Sequence, residues 1–351
     1  MTDNIREMQK NTLIMNHIND GLIIPTASIN ELWENSVKQW LLMASTGAII
    51  CSRPRVGKTV AIDYLANKID EMYDGGIPVI KWNITNHAVT ERNFYSSLLM
   101  AMGDPEPNRG ATALVLKNRV LNVLTELATV GNSETMYSED SMPGLRRIVL
   151  FCDEAYLLDE KDFNWLMDLY NNLRHNKVYL TTFLVGTDEL QALKAHFISL
   201  QKDQIIGRFM IDEHEFAGIR TKEEMALCLS VFDSEMKIPG IYGERIIPSQ
   251  HFFPEAYDNG EGLYSLLTDG LWDVFQDVKE KSKIPYEDIP MKYFIRSIMA
   301  TMTTYGKYGI HEKYFLNSND ILEAVISSGY AMSGGTGRVQ IYGKKTRNSK
   351  K

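Results

Sequence analysis

The length, composition and charge of the chain already limit the classes of protein it can be. With 351 residues, 44% of them apolar, it can bury a sizeable core and suggests two or three folding units. No stretch approaches the roughly 18 consecutive apolar residues that span a bilayer, and the first residues lack the apolar segment of a signal peptide. We therefore expect a globular, cytoplasmic protein.

Cysteine usage and charge distribution narrow the class further. Cys51, Cys152 and Cys228 lie in separate apolar stretches and form no C-x-x-C pair, which argues against disulfides and zinc sites. The net charge of −8 disfavours a protein that coats nucleic acid by bulk electrostatics, yet residues 336–351 carry six basic side chains and no acidic one. That tail is either a solvated terminus or an arm that binds a phosphate backbone or an acidic partner.

Apolar runs alternate with helical patterns from about residue 28 to 216, which is typical of helices packed on a mostly parallel sheet. Helical spacing of apolar residues predicts helices over 27–45, 58–73, 91–103 and 111–130, with a further helix after the third strand. The predicted strands cover 47–51, 78–84, 147–152, 178–186 and 209–216. The fold class is therefore α/β.

The pattern changes after residue 217, where helical stretches follow one another without strands. Within the earlier part, the small, polar and acidic segment 131–144 is predicted to be a mobile surface loop. We expect four parts: an amino-terminal extension (1–27), an α/β domain (28–217), a helical domain (218–333) and a flexible basic tail (334–351).

The stretch CSRPRVGKTVA, residues 51–61, stands between a predicted strand and a predicted helix and nearly matches the phosphate-loop pattern G-x-x-x-x-G-K-[ST]. Its second half matches, whereas Ser52 replaces the leading glycine. A serine fits there if the position does not require a positive φ. In such a loop the backbone of residues 54–59, in which every residue except Pro54 carries an N–H group, surrounds the β-phosphate. Lys58 reaches the β- and γ-phosphates, and the Thr59 hydroxyl binds Mg²⁺.

Two arginines within this stretch are unusual for a phosphate loop. Arg53 and Arg55 either face solvent, contact phosphate or meet a neighbouring subunit. The predicted nucleotide-binding residues of the loop are Ser52, Arg53, Pro54, Arg55, Val56, Gly57, Lys58 and Thr59.

A second motif, IVLFCDEA at 148–155, delivers two carboxylates to the end of a predicted strand. Open α/β sheets place their ligands at this end. Asp153 can hold Mg²⁺ through its water shell, and Glu154 can orient and polarise an attacking water, which suits hydrolysis. The alternative is a pair of solvated carboxylates that open a helix. Their position downstream of a Lys-Thr loop favours the metal and water roles.

Two further residues follow in chain order. Thr187, in FLVGTDEL, stands just past the fourth strand and is either a polar sensor of phosphate and water or a turn residue and helix cap. Arg208, in QIIGRFM, precedes the fifth strand. It is either a cation that stabilises phosphoryl transfer in a neighbouring subunit or a surface arginine with an intrachain partner.

The motifs SRPRVGKT, VLFCDEA, VGTDEL and IGRFM occur in an order and spacing that resembles the AAA+ ATPases, and most closely the TnsC/TniB-type regulators of DNA transposition. The resemblance covers roughly residues 20–275, including the lead-in IPTASINELWENSVKQWLLMASTGAII. It implies an AAA+ P-loop NTPase fold, with a parallel five-stranded sheet between helices, followed by an all-α lid domain and a basic tail. Tyr264 stands near the position where many such proteins carry a sensor 2 arginine.

The resemblance also implies an activity and partners. Such regulators bind ATP with Mg²⁺ and form rings or filaments around double-stranded DNA. Together with target-selection proteins they recruit a transposase, and ATP hydrolysis resets the assembly. The resemblance implies that Lys58 and Thr59 bind the nucleotide and Mg²⁺, and that Asp153 and Glu154 form the Walker B pair. It also implies that Thr187 is sensor 1 and that Arg208 is the arginine finger. Asp153 would share the metal with Thr59.

Contacts with the DNA backbone are expected from lysines and arginines on the inner face of such an assembly. The candidates are Lys117 and Arg119 in the helix after the second strand, and Arg174 and Lys177 after the Walker B helix. The alternative for each is a solvated helix face.

Other interpretations of the motifs differ in what they require. A helicase needs a second sheet domain to carry its arginine motif, whereas Arg208 follows the DEA motif closely and the rest of the chain is predicted to be helical. A nucleotide-gated signalling or adaptor ATPase that does not bind DNA remains the alternative function. A scaffold without ATPase activity is disfavoured because Lys58 and Glu154 are both present.

Overall fold

A computed structural model of the chain describes residues 2–20, 22–109, 112–130, 146–234, 238–239, 245–307 and 309–333. The predicted surface loop at 131–144 and the basic tail from residue 334 lie outside the described residues. The chain divides into two compact units. The α/β unit comprises Ser28–Pro54 and Lys58–Phe216, and the helical unit comprises Met1–Ala27, Arg55–Gly57 and Ala217–Lys351.

The α/β unit is built on one five-stranded parallel sheet with the strand order β2-β3-β4-β1-β5. Every residue of β1 and β3 is buried, as expected for apolar strands covered by helices on both faces. The predicted parallel sheet between helices is confirmed. Its strands are β1 Gly47–Cys51, β2 Val79–Asn83, β3 Arg147–Asp153, β4 Tyr179–Gly186 and β5 Asp212–Glu215.

The helices of the α/β unit bury aromatic and aliphatic side chains against this sheet, with Phe94, Phe163 and Phe209 fully buried. Phe209 ends a helix instead of beginning the fifth strand as predicted, because this segment packs its aromatic side chain into the core. The predicted helix at 27–45 is divided by a π-helical turn, Trp33–Val37. The helices are α2 Ala27–Leu32, α3 Lys38–Leu42, α4 Lys58–Tyr73, α5 Glu91–Ala101, α6 Ala113–Val130, α7 Glu160–His175, α8 Glu189–Ser199 and α9 Asp203–Phe209.

The helical unit has its own core, formed around Leu271, Phe275 and Ile298. Residues Ile14 and Ile18 of the first helix are buried in the same core, so the predicted amino-terminal extension packs with the carboxyl-terminal helices. The helical unit also contains an element that was not predicted, an antiparallel pair of short strands with two residues each. The elements are α1 Thr2–Asp20, α10 Lys222–Ser234, β6 Ile238–Pro239, β7 Arg245–Ile246, α11 Pro248–Phe252, α12 Pro254–Asp258, α13 Leu263–Lys281, α14 Met291–Tyr305 and α15 Ser318–Ser327. Among the described residues, no helix is long and apolar enough to cross a membrane.

The start of α13 is held by a carboxylate from α10. Asp233 accepts hydrogen bonds from the backbone N–H groups of Leu263 and Tyr264, at 2.8 and 2.9 Å, and from the Ser249 hydroxyl. These N–H groups are among those that a helix leaves without an internal partner. A Cβ at Gly262 would lie 2.4 Å from this carboxylate, so the position requires glycine.

Candidate functional site

The loop between β1 and α4 turns at two residues with positive φ. Arg55 has φ 69° and Gly57 has φ 116°, whereas Ser52 is not among the described residues with positive φ. Ser52 is buried and its backbone N–H donates to the Gly186 carbonyl at 3.0 Å, which continues the pairing of β1 with β4. Serine is therefore compatible with the first position of this loop.

The end of the loop meets the end of β3. Helix α4 begins at Lys58, whose side chain is only 8% exposed. The Thr59 hydroxyl donates to Asp153 Oδ2 at 2.9 Å, although the two residues are 94 positions apart. The helix start presents unpaired N–H groups and the positive end of the helix dipole. The two predicted metal-ligating residues therefore lie together, beside a helix end that favours an anion.

Asp153 and Glu154 differ in environment. Asp153 is buried, and its Oδ1 accepts a hydrogen bond from the Glu154 N–H at 3.0 Å. Glu154 leaves the strand with a left-handed backbone (φ 57°, ψ 37°) and its side chain makes no helix-cap hydrogen bond. Helix α7 begins later, at Glu160, with Asp159 as its cap. The two carboxylates therefore do not cap α7, as the helix-opening alternative would have required.

Thr187 follows β4, the strand that lies between β1 and β3 in the sheet. Its hydroxyl donates to Glu189 Oε2 at 3.0 Å. Because the three strands are parallel, their carboxyl ends share one edge, and ligands of open α/β sheets bind outside this edge. The structure therefore brings Thr187 to the same edge as Thr59, Asp153 and Glu154.

Arg208 lies at the amino edge of the sheet, where the amino-terminal ends of the parallel strands meet. The Thr46 hydroxyl, just before β1, donates to the Arg208 carbonyl at 2.6 Å. The guanidinium carbon lies 4.6 Å from the centre of the Tyr170 ring, and Nη1 donates to Asn171 Oδ1 at 3.0 Å. The structure does not bring Arg208 to the carboxyl edge of its own sheet.

The four candidate DNA-binding residues have different surroundings. Lys117 forms an ion pair with Asp168, and Arg119 forms one with Asp104 at 2.5 Å. Arg174 Nη1 donates to the Tyr170 hydroxyl at 3.1 Å. Lys177 is exposed just after α7 and has φ 58°. Lys117 and Arg119 would have to leave their carboxylate partners to bind phosphate.

The two loop arginines also have different surroundings. Arg53 is half-buried in the loop. Within the helical unit, Arg55 Nη1 donates to the Tyr293 hydroxyl at 2.9 Å, and its guanidinium carbon lies 5.4 Å from the centre of that ring. Arg55 therefore makes an intrachain contact with an aromatic side chain.

Two residues at the carboxyl edge were missed by the sequence analysis. The interaction of the Tyr156 hydroxyl with the Glu154 carboxylate, followed by burial, raises the pKa of Tyr156. Glu189 accepts from Thr187, as described above. The only available signal was their position, since each stands two residues after a predicted site residue in the sequence.

Comparison with protein-family models finds one domain. Residues 44–193 match the family described as AAA domain, and this range contains the loop, both carboxylates and Thr187. Among curated proteins, none matches the chain.

Similar folds occur among solved structures. The ORC1 protein of Aeropyrum pernix in complex with DNA is 12% identical with a TM-score of 0.41, and the match covers 90% of this chain and 80% of that chain. Drosophila ORC bound to poly(dA/dT) DNA and Cdc6 gives 9% identity, a TM-score of 0.44 and coverages of 85% and 42%. AMPPCP-bound DnaA from Aquifex aeolicus gives 12% identity, a TM-score of 0.32 and coverages of 87% and 84%.

The identities and TM-scores of these matches are low, so they show nothing about function. The fold assignment rests on the domain match and on the topology of the sheet. Three observations indicate the same fold: the strand order, the predicted phosphate loop between β1 and α4, and the family match. Residues 44–193 match the AAA domain model, and the chain has the AAA+ P-loop fold, a parallel five-stranded sheet flanked by helices, with a helical carboxyl-terminal region.

Proposed function

We propose that the chain is an ATPase that binds ATP at the junction of β1 and α4. The observation that carries this proposal is the 2.9 Å hydrogen bond between Thr59 and Asp153, which joins the predicted phosphate loop to the predicted Walker B strand. Backbone N–H groups of residues 55–59 and the Lys58 ammonium would bind the phosphates. The domain match over residues 44–193 supports the same role.

The residues present fit Mg²⁺ as the accompanying metal. Mg²⁺ prefers oxygen ligands and is usually held by one or two carboxylates together with substrate phosphates and water. Thr59 and Asp153 supply a hydroxyl and a carboxylate within hydrogen-bonding distance. The metal would neutralise charge on the phosphates.

Glu154 would orient the attacking water, and Thr187 would donate a hydrogen bond to the γ-phosphate or to that water. Both side chains lie at the carboxyl edge of the sheet, next to the loop. The half-buried position of each limits competing water. In phosphoryl transfer most of the catalysis comes from positioning and charge stabilisation, so these oriented groups would contribute to hydrolysis once the nucleotide is bound.

Arg208 would act on the nucleotide of a neighbouring copy. Its position at the amino edge, fixed by the Thr46 and Asn171 contacts, separates it from the loop of its own chain. An arginine that stabilises the transition state from a second subunit is a known arrangement. The proposal therefore includes a homo-oligomer, in the form of a ring or a filament.

The finer proposal is a regulator of DNA transposition. The order of the four motifs supports this proposal. The chain would oligomerise on double-stranded DNA through contacts with the DNA backbone. Together with target-selection proteins it would recruit and activate a transposase, and it would disassemble on ATP hydrolysis. Lys117, Arg119, Arg174, Lys177 and the basic tail are the candidate DNA contacts. Residues 218–333 would be the lid domain, and the location would be the bacterial cytoplasm or nucleoid.

Electron microscopy of the purified chain with double-stranded DNA tests this function. We expect rings or filaments on DNA with a non-hydrolysable ATP analogue and none without it. Nucleotide binding without any assembly on DNA would contradict the DNA-bound regulator and favour a nucleotide-gated signalling or adaptor ATPase. DNA of random sequence is the appropriate substrate, because backbone contacts do not depend on sequence.

A further inference from the structure

The middle of the predicted phosphate loop belongs to the helical unit. Residues 55–57 fall in that unit, whereas the loop residues on either side of them fall in the α/β unit. Arg55 has φ 69°, a backbone conformation that is uncommon for a residue other than glycine. Such a conformation persists only where surrounding contacts hold it. The contacts of Arg55 are therefore expected to hold the turn of the loop.

The start of α14 contacts Arg55 in two ways. The backbone N–H of Lys292 donates to the Arg55 carbonyl at 3.2 Å. This N–H is one of those that the first turn of a helix leaves without an internal partner. The Tyr293 hydroxyl accepts a hydrogen bond from Arg55 Nη1 at 2.9 Å, and the guanidinium carbon lies 5.4 Å from the ring centre. Consecutive residues of one helix thus hold both the backbone and the side chain of Arg55.

Tyr293 is the rigid member of this contact. It is only 4% exposed and lies in the core of the helical unit, with its ring centre 5.6 Å from that of Tyr330. Arg55, by contrast, is exposed. An exposed arginine has many rotamers, so a bond to a hydroxyl of fixed position restricts it. The restriction passes from the buried ring to the loop, and not in the opposite direction.

We propose that Tyr293 is a positioning residue for the phosphate loop and acts through Arg55. The inference rests on the proposed ATPase function and adds a residue from outside its motifs. Residues 55–59 are the ones whose N–H groups would bind the phosphates. A loop that already has the required turn loses less conformational freedom when nucleotide binds. The loss of the Tyr293 hydroxyl therefore weakens ATP binding and leaves turnover at saturating ATP unchanged.

The test is the dissociation constant of a non-hydrolysable ATP analogue, measured by isothermal titration with the full chain carrying Tyr293→Phe. This substitution removes the hydroxyl and retains the buried ring. Loss of one hydrogen bond of ordinary strength corresponds to a rise in Kd of about threefold to tenfold. We expect that rise, with a kcat at saturating ATP and a midpoint of thermal unfolding without nucleotide that match those of the wild type.

Tyr305→Phe is the matched control. Tyr305 is buried in the same helix, and its hydroxyl donates to Glu323 Oε2 at 2.8 Å within the helical unit. The substitution removes a tyrosine hydroxyl from α14 and leaves the contacts of Arg55 in place, so the analogue should bind with the wild-type Kd. An equal rise in Kd in both variants would overturn the proposal, because it would indicate a general effect on α14.

A second substitution shows whether Tyr293 acts through Arg55. Arg55→Ala changes an exposed side chain and should itself raise Kd. Adding Tyr293→Phe to it should cause no further rise, because the guanidinium that Tyr293 holds is already gone. The same fold rise in both backgrounds would overturn the proposal.

The single variant Tyr293→Phe has two further outcomes that count against the positioning role. An unchanged Kd would overturn it, and so would a lowered Kd, which would indicate that Arg55 binds phosphate itself once it is released. If the wild-type chain does not bind the analogue, the proposed ATPase function itself fails. If it binds the analogue and Tyr293→Phe binds equally well, only the positioning role fails.

Discussion

The two edges of the parallel sheet differ in how their polar groups are arranged. At the carboxyl edge, Thr59 and Asp153 from separate segments bond to each other, and Thr187 follows β4, the strand between β1 and β3. At the amino edge, Arg208 is held by Asn171 and the ring of Tyr170. The carboxyl edge thus gathers the groups proposed to bind nucleotide, whereas the cation proposed to assist hydrolysis lies away from them. We therefore expect one chain to bind ATP and two adjacent copies to be needed to hydrolyse it.

The largest expected effect is at the carboxyl edge. Lys58→Ala should abolish ATP binding, because the buried ammonium at the start of α4 is the proposed partner of the β- and γ-phosphates. Isothermal titration with a non-hydrolysable analogue measures this. Lys68→Ala, which removes an exposed lysine paired with Glu71 on the same helix, is the control and should bind normally. Retained binding by Lys58→Ala would show that the loop does not hold phosphate through this side chain.

A change at the amino edge should affect turnover only. Arg208→Ala should lower kcat about 1,000-fold while ATP binding is retained, since a transition-state arginine contributes on this scale. Mixing Arg208→Ala with Glu154→Gln should restore part of the activity, because the first supplies an intact Glu154, the second supplies an intact arginine, and both are expected to bind ATP. If mixing restores nothing, the assignment of Arg208 to a neighbouring copy is contradicted.

Glu154→Gln should lower kcat about 100-fold, in keeping with the usual contribution of a positioned acid or base. ATP binding and ATP-dependent assembly should persist, because the amide removes charge without removing the loop. Single-turnover hydrolysis of radiolabelled ATP measures the chemical step. Glu71→Gln, an exposed carboxylate on α4, is the control. Normal turnover in Glu154→Gln would refute its role with water.

The smallest expected effect tests how Arg208 is held. Asn171→Ala removes the acceptor that lies 3.0 Å from Arg208 Nη1 and should lower kcat about fivefold, the scale of one hydrogen bond. Asn172→Ala is the control, because that side chain bonds to Asp168. An equal loss in both variants would indicate a general effect on α7 and not on the arginine.

The parallel sheet could be predicted from the sequence because β1 and β3 are buried on both faces, and such strands appear as unbroken apolar runs. The convergence of the loop with Asp153 followed from the same topology, since parallel strands end at one edge. The fifth strand was predicted too long because Phe209 is as apolar as a strand residue but packs as the end of α9. Burial alone does not separate these two cases.

Other features depend on geometry that no pattern encodes. Glu154 has a left-handed backbone, which is uncommon for residues other than glycine and which no sequence pattern predicts. The ion pairs of Lys117 and Arg119 depend on how α6 packs against α7 and on the conformation of the segment after α5. The ribbon β6–β7 has two residues in each strand, too few to leave a repeating signal.

The packing of α1 has a consequence for biosynthesis. Ile14 and Ile18 share a core with residues from Ile219 to Tyr330, and the His251 ring bonds to Asn11 at 2.7 Å across 240 positions. Chains emerge from the ribosome amino terminus first, and domains fold as units. The α/β unit can therefore complete its core while the apolar face of α1 still waits for the segments that cover it. During that interval the newly made chain exposes a hydrophobic helix, which is the kind of surface that chaperones bind.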